Sequence, residues 1–475
     1  MLRWPRHSHT INFALARSEI AARDRAFLTR RADETRLCWS ERLSLTNPSA
    51  HPDNCSFLLT MPHGRLKIRA VACALLTICA GQSAPWRAFG QPPPDSVTVA
   101  ARTLDHAIII DTHADTPQLL LDESYNLADP ASPYMISIPK MRAGHLGAEF
   151  FSIWVDVDWP KQDLIHRALD LIDATNQQVV KHSDVLGLAT TADDIERLHR
   201  EGRIAALMGV EGGHEIQGDL RMLDIYYRLG VRYLTLTHTR NDELADSSGD
   251  KPHWNGLSPL GRQAIERMNQ LGMMVDISHV SDRTFYDAIA VSKAPLIASH
   301  SSCRALCNAP RNMSDEMIRA LAKNGGVMDI NFYSGFLSPA YRAEFAKIEK
   351  QVDAKIGAAR ARSAKQGKRL SYPEEVEIER QFTKDLPAPS YTVIADHIDH
   401  AVKVGGIDHV GLGSDFDGID TPPRGMEDAS KIPALVTELA RRGYSEEDLE
   451  KILGGNVLRM MRQVEQVARQ QKTTP

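Results

Sequence analysis

From residue 105 onward one pattern recurs eight times: a short apolar run, a few polar or glycine residues, and an amphipathic segment of helical period. The runs lie at 107–115, 148–157, 204–213, 233–240, 272–280, 294–302, 325–333 and 409–418. Helices are predicted between them, at 162–181, 191–201, 219–229, 258–271, 281–291, 314–323 and 391–404. Strands that alternate with helices form parallel sheets, and this number favours an α/β fold closed into a (β/α)8 TIM barrel. Periodicity alone does not show closure, so an open sheet stays possible.

The length of the chain fits one large α/β domain, and its charge argues against a nucleic-acid partner. A single α/β barrel with insertions can absorb most of a chain of 475 residues. The formal net charge is −5, the pI is near 6.4, and the sequence has no long Lys/Arg block. These features argue against a nucleic-acid partner.

The first hundred residues are predicted to lie apart from this fold. Residues 1–60 show no sustained periodicity, which indicates a disordered tail or an upstream extension. Residues 61–84 have a basic start, a short apolar stretch and small residues after it, the layout of a secretory signal peptide. The stretch is too short to span a bilayer, so no membrane span is expected in the mature chain. Residues 85–100 are predicted to be a linker into a catalytic domain at 101–470.

The signal predicts export to the periplasm or the cell exterior, and a cytoplasmic location if it does not function. Of the six cysteines, Cys303 and Cys307 would remain after signal removal. Their spacing permits a local disulfide in an oxidising compartment, while two free thiols fit the sequence equally well.

Potential metal ligands stand at the ends of most of the apolar runs. Any one of them alone would more often be a satisfied core histidine or a loop acid. The C-terminal ends of barrel strands meet at one mouth, however, so residues distant in sequence converge there. Imidazole and carboxylate are the usual ligands of zinc, so the coincidence predicts a metal site. The second and seventh runs lack an obvious ligand, and the others supply His113, Asp115, Glu211, His238, His279, His300 and Asp415.

Six motifs along the chain carry a family resemblance: "DTHADTP", "GVEGGHEI", "LTLTHTRND", "VDISHVS", "ASHSSCRALCNAPRNMSDE" and "GLGSDFDG". In this order they resemble the membrane dipeptidase (renal dipeptidase) family of zinc peptidases, over roughly residues 100–462. The resemblance implies a (β/α)8 barrel that holds two zinc ions and hydrolyses dipeptides. One departure is Cys303, where a small residue such as alanine would be expected.

The resemblance also implies roles for individual residues. His113 and Asp115 would hold one zinc ion, and His279 and His300 the other. Glu211 would bridge the two ions. Residues that match substrate-contacting and catalytic positions are His238, Arg311 and Asp415.

The chemistry follows from these residue types. Two cations that share a water lower its pKa and produce a bridging hydroxide, the nucleophile. His238 would help to stabilise the oxyanion, and Asp415 would carry a proton to the leaving amine, with Asp417 as a second candidate. Arg311 would bind the substrate carboxylate through two hydrogen bonds. Tyr333 either lines the pocket or packs in the core.

Two other functions are consistent with such a barrel. A different binuclear amidohydrolase, acting on a lactone, a cyclic amide or a phosphotriester, would share most ligands. Many such enzymes bridge their metals with a carboxylated lysine on the fourth strand, where this chain has Thr235, Thr237 and His238. The non-enzymatic alternative is a barrel that binds metal without turnover. The sequence leaves open which dipeptides are cut and whether a C-terminal D-residue is accepted.

The segment at about 342–388 is far longer than an ordinary connection between a strand and a helix. Its content of Ala, Lys, Glu and Arg predicts one or two exposed helices. Because it follows the seventh strand, it starts beside the predicted metals. It would then be a solvated decoration, a lid over the site, or a contact surface in a homodimer.

Overall fold

The computed structural model describes residues 95–473. The predicted extension and signal peptide, and residues 85–94 of the predicted linker, lie outside the described residues. The first helix, α1 (Ser96–His106), begins at an N-cap where Asp95 accepts a hydrogen bond from the Thr98 amide, 2.8 Å long. Residues 96–100 therefore belong to this helix and not to a linker.

The described residues contain nine strands in one parallel sheet. Pairing between β2 and β4 closes the sheet into a barrel of eight strands with helices outside, so the predicted (β/α)8 barrel is confirmed. The strands are β1 (Ile109–Ala114), β2 (Leu146–Ile153), β3 (Leu186–Leu188), β4 (Ile204–Glu211), β5 (Val231–Thr235), β6 (Met274–Asp276), β7 (Ile297–Ser301), β8 (Val327–Ile330) and β9 (Val410–Leu412).

Strand β3 was not predicted from the sequence. It has three residues, too few for a periodic signal, and it lies between two correctly predicted helices. It pairs with the start of β4, Leu186 opposite Ile204, while β5 pairs with β4 from Met208 onward. It thus extends the sheet without belonging to the barrel wall.

The seven helices predicted with bounds lie within a few residues of them, while two helices between β1 and β2 and three after β9 were not predicted. The insertion forms two helices, α11 (Pro339–Lys365) and α12 (Tyr372–Thr383), and starts a few residues earlier than predicted. After α1, the helices are α2 (Thr116–Asp122), α3 (Ile138–Ala143), α4 (Leu164–Lys181), α5 (Ala192–Arg200), α6 (Arg221–Leu229), α7 (Pro259–Leu271), α8 (Asp282–Val291), α9 (Asp315–Asn324), α10 (Ser334–Leu337), α11 (Pro339–Lys365), α12 (Tyr372–Thr383), α13 (Thr392–Gly405), α14 (Ile432–Arg441), α15 (Glu446–Glu450) and α16 (Asn456–Thr473).

The barrel interior changes from apolar to polar along each strand. On β6, Met274 belongs to the inner apolar cluster, and Asp276 lies two residues further on the same side. On β7, Ile297 is followed in the same way by Ser299. A second apolar cluster fills the space between strands and helices. The fold thereby gathers its inward polar side chains at the C-terminal mouth.

Two further features bear on the predictions. Cys303 and Cys307 are both buried free thiols, and each lies near a backbone carbonyl, that of His397 and that of Gly335. The sequence allowed either a disulfide or two free thiols, and the structure has two free thiols. Among residues 95–473, no helix is long and apolar enough to cross a membrane.

A close contact inside the barrel gives a test of the fold. A Cβ atom at Gly209 on β4 would overlap the ring of Tyr233 on β5. We therefore expect Gly209→Ala to lower the free energy of unfolding by about 1–3 kcal/mol, the usual cost of overpacking a core. Gly357→Ala in α11 is the control, because nothing lies within 4 Å of its added Cβ. Urea denaturation of both variants measures the difference, and equal stability of the two would contradict this packing.

Candidate active site

The carboxylate of Glu211, at the end of β4, lies at the centre of the mouth. Its Oε2 atom is 3.2 Å from Nε2 of His113 and accepts a 3.0 Å hydrogen bond from the Ser152 hydroxyl. Its Oε1 atom lies 2.9 Å from Nε2 of His279 and 3.2 Å from Nε2 of His300. The two oxygens of one buried carboxylate therefore face two groups of potential ligands, one around His113 and one around His279 and His300, and the rings of His113 and His300 stack with centres 3.7 Å apart.

The first group is formed at the end of β1. Nε2 of His113 lies 3.4 Å from Oδ1 of Asp115, and both atoms are buried without a hydrogen-bond partner. On the other side of its ring, Nδ1 of His113 lies 2.8 Å from the Tyr233 hydroxyl. That hydroxyl donates to the backbone oxygen of Thr112, so it accepts the proton of Nδ1. In the neutral ring Nε2 is therefore the unprotonated nitrogen. Burial lowers the pKa of His113, but Tyr233 and the facing Glu211 and Asp115 carboxylates outweigh it and raise that pKa well above the usual range, so a bound cation would displace a proton from Nε2.

The second group is formed where β6 and β7 end. Nε2 of His279 and Nε2 of His300 lie 2.9 Å apart, beside Oε1 of Glu211. Nδ1 of His300 lies 2.8 Å from the Ser299 hydroxyl. Burial and the nearby Arg311 cation lower the pKa of both histidines well below the usual range. They are therefore neutral, the form in which imidazole binds a metal.

These side chains could hold metal. The described residues at the mouth form three overlapping clusters of potential ligands: His113, Glu211 and His300; Glu211, His238 and His279; and His113, Asp115 and Asp415. Burial alone would raise the pKa of Glu211, but the imidazoles of His113 and His238 outweigh it and lower that pKa well below the usual range. The predicted ligands His113, Asp115, Glu211, His279 and His300 are all brought together here.

Asp415 lies beside the first group, just after β9. Its Oδ2 atom accepts a 2.8 Å hydrogen bond from the Asn331 amide. Burial, together with the negative charge of Asp115, raises the pKa of Asp415 to about 7. Gly418 leaves the room that both carboxylates need, since a Cβ atom there would overlap Oδ2 of Asp115. A carboxyl group in this state can accept and release a proton near neutral pH.

Hydrogen-bond partners, and not backbone geometry, separate Asp415 from the second acidic candidate, Asp417. Both have a positive φ, 65° and 64°, as does His279 at 65°. This conformation is uncommon outside glycine and tends to occur at functional sites. The carboxylate of Asp417 accepts hydrogen bonds from Thr116, at 2.7 Å, and from the amide of Met135, at 2.6 Å. Asp417 therefore fixes the loop, while Asp415 faces the cavity.

The other predicted site residues lie around the same mouth. His238 has a side chain that is 16% exposed, with Nε2 3.8 Å from Oε1 of Glu211. Its ring lies between Trp154 and His279. Tyr333 lines the cavity and also packs edge-on against Phe336. The two alternatives for Tyr333, pocket wall and packing, are therefore both realised.

The guanidinium of Arg311 is fixed by two hydrogen bonds within the protein. One terminal nitrogen donates to the Ser301 hydroxyl at 2.8 Å, and the other to the His300 carbonyl at 2.7 Å. Its guanidinium lies 5.8 Å from the centre of the Phe336 ring, which lines the cavity. Each terminal nitrogen keeps a second N–H, so the group can still bind an anion from a fixed position.

The insertion helices form one wall of the cavity above these residues. The cavity measures about 320 Å³, and Ile356 of α11 lines it together with Tyr372, Val376 and Glu379 of α12. Tyr372 packs edge-on against Trp154, with ring centres 5.2 Å apart. The segment predicted to be a decoration, a lid or a dimer contact is thus placed over the site.

Charged contacts tie this wall to the loop after β2. Arg360 of α11 donates to Glu375 of α12 at 2.6 and 2.7 Å, and to Asp156 of the loop at 3.2 Å. Arg369 reaches the same Asp156 at 2.8 Å and lies 4.1 Å above the ring of Trp159. Because several charges share partners here, they hold the wall better than isolated surface pairs would.

Several residues that support the site were not predicted from the sequence. The two runs without an obvious ligand contribute Ser152 from β2, Trp154 just after β2, and Asn331 after β8. Asp276 and Ser299 stand inside the motifs "VDISHVS" and "ASHSS", where a polar residue on a buried strand was a usable signal. Tyr372 lies in the insertion, and no pattern in the sequence indicates its contact with the site.

Comparison with known proteins decides the family. The sequence model of the membrane dipeptidases, peptidase family M19, matches residues 97–475. The chain belongs to this family. An uncharacterized dipeptidase of Schizosaccharomyces pombe is 37% identical over 387 residues, which are 77% of this chain and 82% of that protein. The dipeptidase verJ of Clonostachys rogersoniana is 34% identical, over 80% of this chain and 90% of its own.

A solved structure agrees with this assignment. The probable dipeptidase PvdM from Pseudomonas aeruginosa superposes with a TM-score of 0.68 at 28% identity, over 78% of this chain and 99% of its own. This membrane dipeptidase family member is therefore a metal-dependent peptide hydrolase with a TIM barrel, as the motifs implied.

The position of the insertion gives a test of what it does. We expect that replacing residues 344–386 with a short Gly/Ser linker removes one cavity wall and lets the enzyme cleave tripeptides. Arg360→Ala should move the activity in the same direction, because it releases α11 from the β2 loop. Lys347→Ala is the control, since its 2.6 Å ion pair with Glu344 lies within α11.

Kinetics on dipeptides and tripeptides, with the molecular mass in solution, measure the effect. Unchanged kinetics and mass would leave the insertion as a decoration, and a halved mass would identify it as a dimer contact.

Proposed function

We propose that this family member hydrolyses the peptide bond of free dipeptides with two zinc ions held at the barrel mouth. The proposal rests on the position of the Glu211 carboxylate. One of its oxygens faces His113, and the other faces His279 and His300. A carboxylate that neutralises part of both charges lets two cations lie close together. His113 and Asp115 would hold one ion, and the other two histidines the second.

When bound, the zinc ions would supply Lewis acidity toward the substrate carbonyl and lower the pKa of a nearby water. Asp415 would take the proton from that water and deliver it to the leaving amine. Its burial and its 2.8 Å contact with Asn331 hold it in place for both transfers. His238, with one edge on the cavity, would donate a hydrogen bond to the developing oxyanion.

Substrate length would be set by charge and by volume. Arg311 would bind the terminal carboxylate of the substrate through its remaining N–H groups, a contact that an internal residue of a peptide lacks. The cavity of about 320 Å³ lies at the small end of ligand pockets. Both features favour a free dipeptide over a longer chain.

The other functions remain distinguishable. An amidohydrolase for lactones, cyclic amides or phosphotriesters shares the metal ligands, but the family match favours a peptide bond. In a barrel that binds metal without turnover, Asp415 would have no catalytic role beside the metals. The exported location stays a proposal that rests on residues 61–84, and the homodimer on the insertion.

The proposal is tested by metal analysis and hydrolysis together. We expect about two zinc ions per chain after gentle purification, and zinc-dependent cleavage of L,L dipeptides in a screen that also contains L,D dipeptides. Chelation should abolish the activity and added zinc restore it. One ion or none, with no gain on adding zinc, would contradict the binuclear site. Two ions with no cleavage of any dipeptide would favour one of the other functions.

Replacing the proton carrier separates catalysis from metal binding. Asp415→Asn keeps the shape of the side chain but cannot accept the proton, so we expect retained zinc and a fall in kcat of about 100-fold or more. Asp417→Asn is the control, because its oxygens hold the loop through Thr116 and Met135. Zinc content and steady-state kinetics are measured for both. Loss of zinc from Asp415→Asn would make Asp415 a metal ligand.

A further inference from the structure

Asp276, on β6, is a fully buried carboxylate that neither lines the cavity nor belongs to any of the clusters of potential metal ligands at the mouth. Its Oδ1 atom accepts the amides of Ser278 and Ser299, both at 3.0 Å. Its Oδ2 atom accepts the hydroxyls of Thr235, at 2.6 Å, and of Ser299, at 2.7 Å. All four partners donate, which matches a carboxylate that only accepts.

Two of these bonds fix the backbone beside both ligands of the second group. Ser278 precedes His279, whose positive φ of 65° turns its ring toward Glu211. Ser299 precedes His300 at the end of β7. One buried carboxylate therefore joins the ends of two neighbouring strands at the residues next to the two imidazoles.

The Ser299 hydroxyl carries the influence of Asp276 further, to the ring of His300. Its proton goes to Oδ2 of Asp276, so its lone pair accepts the proton on Nδ1 of His300 at 2.8 Å. Nε2 of His300 is then the unprotonated nitrogen, and it faces Oε1 of Glu211 and Nε2 of His279. Metal-bound histidines commonly have their other nitrogen held by such a partner.

The first group is supported differently. The Tyr233 hydroxyl, next to His113, donates a 3.2 Å hydrogen bond to the backbone oxygen of Thr112. Asp115 supplies that group with a carboxylate of its own. Within the described residues, the second group shares Glu211 and has no further carboxylate of its own, and Asp276 is the carboxylate that contacts it through Ser299.

We propose that Asp276 is a positioning residue for the second metal, acting through Ser299 on His300 and through two backbone amides on both histidines. This inference deepens the proposed function and rests on it. Asp276 sets the affinity of the ion held by His279 and His300, while the ion held by His113 and Asp115 does not depend on it.

Asp276→Asn tests the relay because the amide keeps the shape and can keep both backbone bonds. Its NH2 group donates to Ser299, which turns the serine hydroxyl toward Nδ1 of His300 and moves the ring proton to Nε2. We expect one of two zinc ions to bind about 10- to 100-fold more weakly, and the other unchanged. Competition titration with a chromophoric chelator measures both dissociation constants, and dialysed protein should hold close to one ion.

Ser299→Ala is the second variant and should weaken the same ion, whether or not Asp276→Asn folds. Tyr233→Phe is the matched control, since it removes the hydroxyl behind His113 and should weaken the other ion. The double variant Asp276→Asn/Tyr233→Phe should then lose both. Added zinc should restore much of the activity of each single variant, which a general loss of structure would not allow.

The outcomes separate this inference from the proposed function. Wild-type protein with two ions, and Asp276→Asn and Ser299→Ala with unchanged dissociation constants, would overturn the inference alone. Equal weakening of both ions would overturn it as well, because it would give Asp276 a general structural role. A wild-type chain that takes up a single ion would overturn the binuclear function and this inference together.

Discussion

A carboxylate buried at the mouth of a barrel must be compensated, and the arrangement around Glu211 depends on this requirement. Removing an ionised carboxylate from water is costly unless cations or donors replace the solvent. Here four imidazoles lie within 4 Å of its two oxygens, and the Ser152 hydroxyl adds one hydrogen bond. The same charge can stabilise two cations, because its oxygens face opposite groups of ligands.

The residues behind the ligands are as ordered as the ligands themselves. Tyr233 fixes the ring of His113, and Ser299 with Asp276 fixes that of His300. In both cases a hydroxyl accepts a hydrogen bond from the imidazole and donates one to another oxygen, the Thr112 carbonyl or the Asp276 carboxylate. The interior below the site therefore determines which nitrogen is free to bind a metal, and it does so through strands rather than loops.

The insertion gives this family member a wall that the barrel itself does not supply. Helices α11 and α12 stand over the cavity, and Arg360 joins them to the loop after β2. The barrel strands carry the potential metal ligands, and the added segment lines the cavity above them. Substrate range can then vary without any change in the metal ligands.

The sequence by itself determined the eight barrel strands, the bounds of seven helices and the seven side chains at the strand ends, because periodicity and motif order are local properties. It missed β3, whose three residues carry no period, and placed the start of the folded domain five residues late. Tertiary structure alone decided that Asp415 faces the cavity while Asp417 holds a loop, since two residues of one type differ there only in their partners. It alone placed Tyr372 at the cavity and Asp276 next to Ser299 and His300. Such contacts join segments far apart in the chain, and only closure of the barrel brings these together.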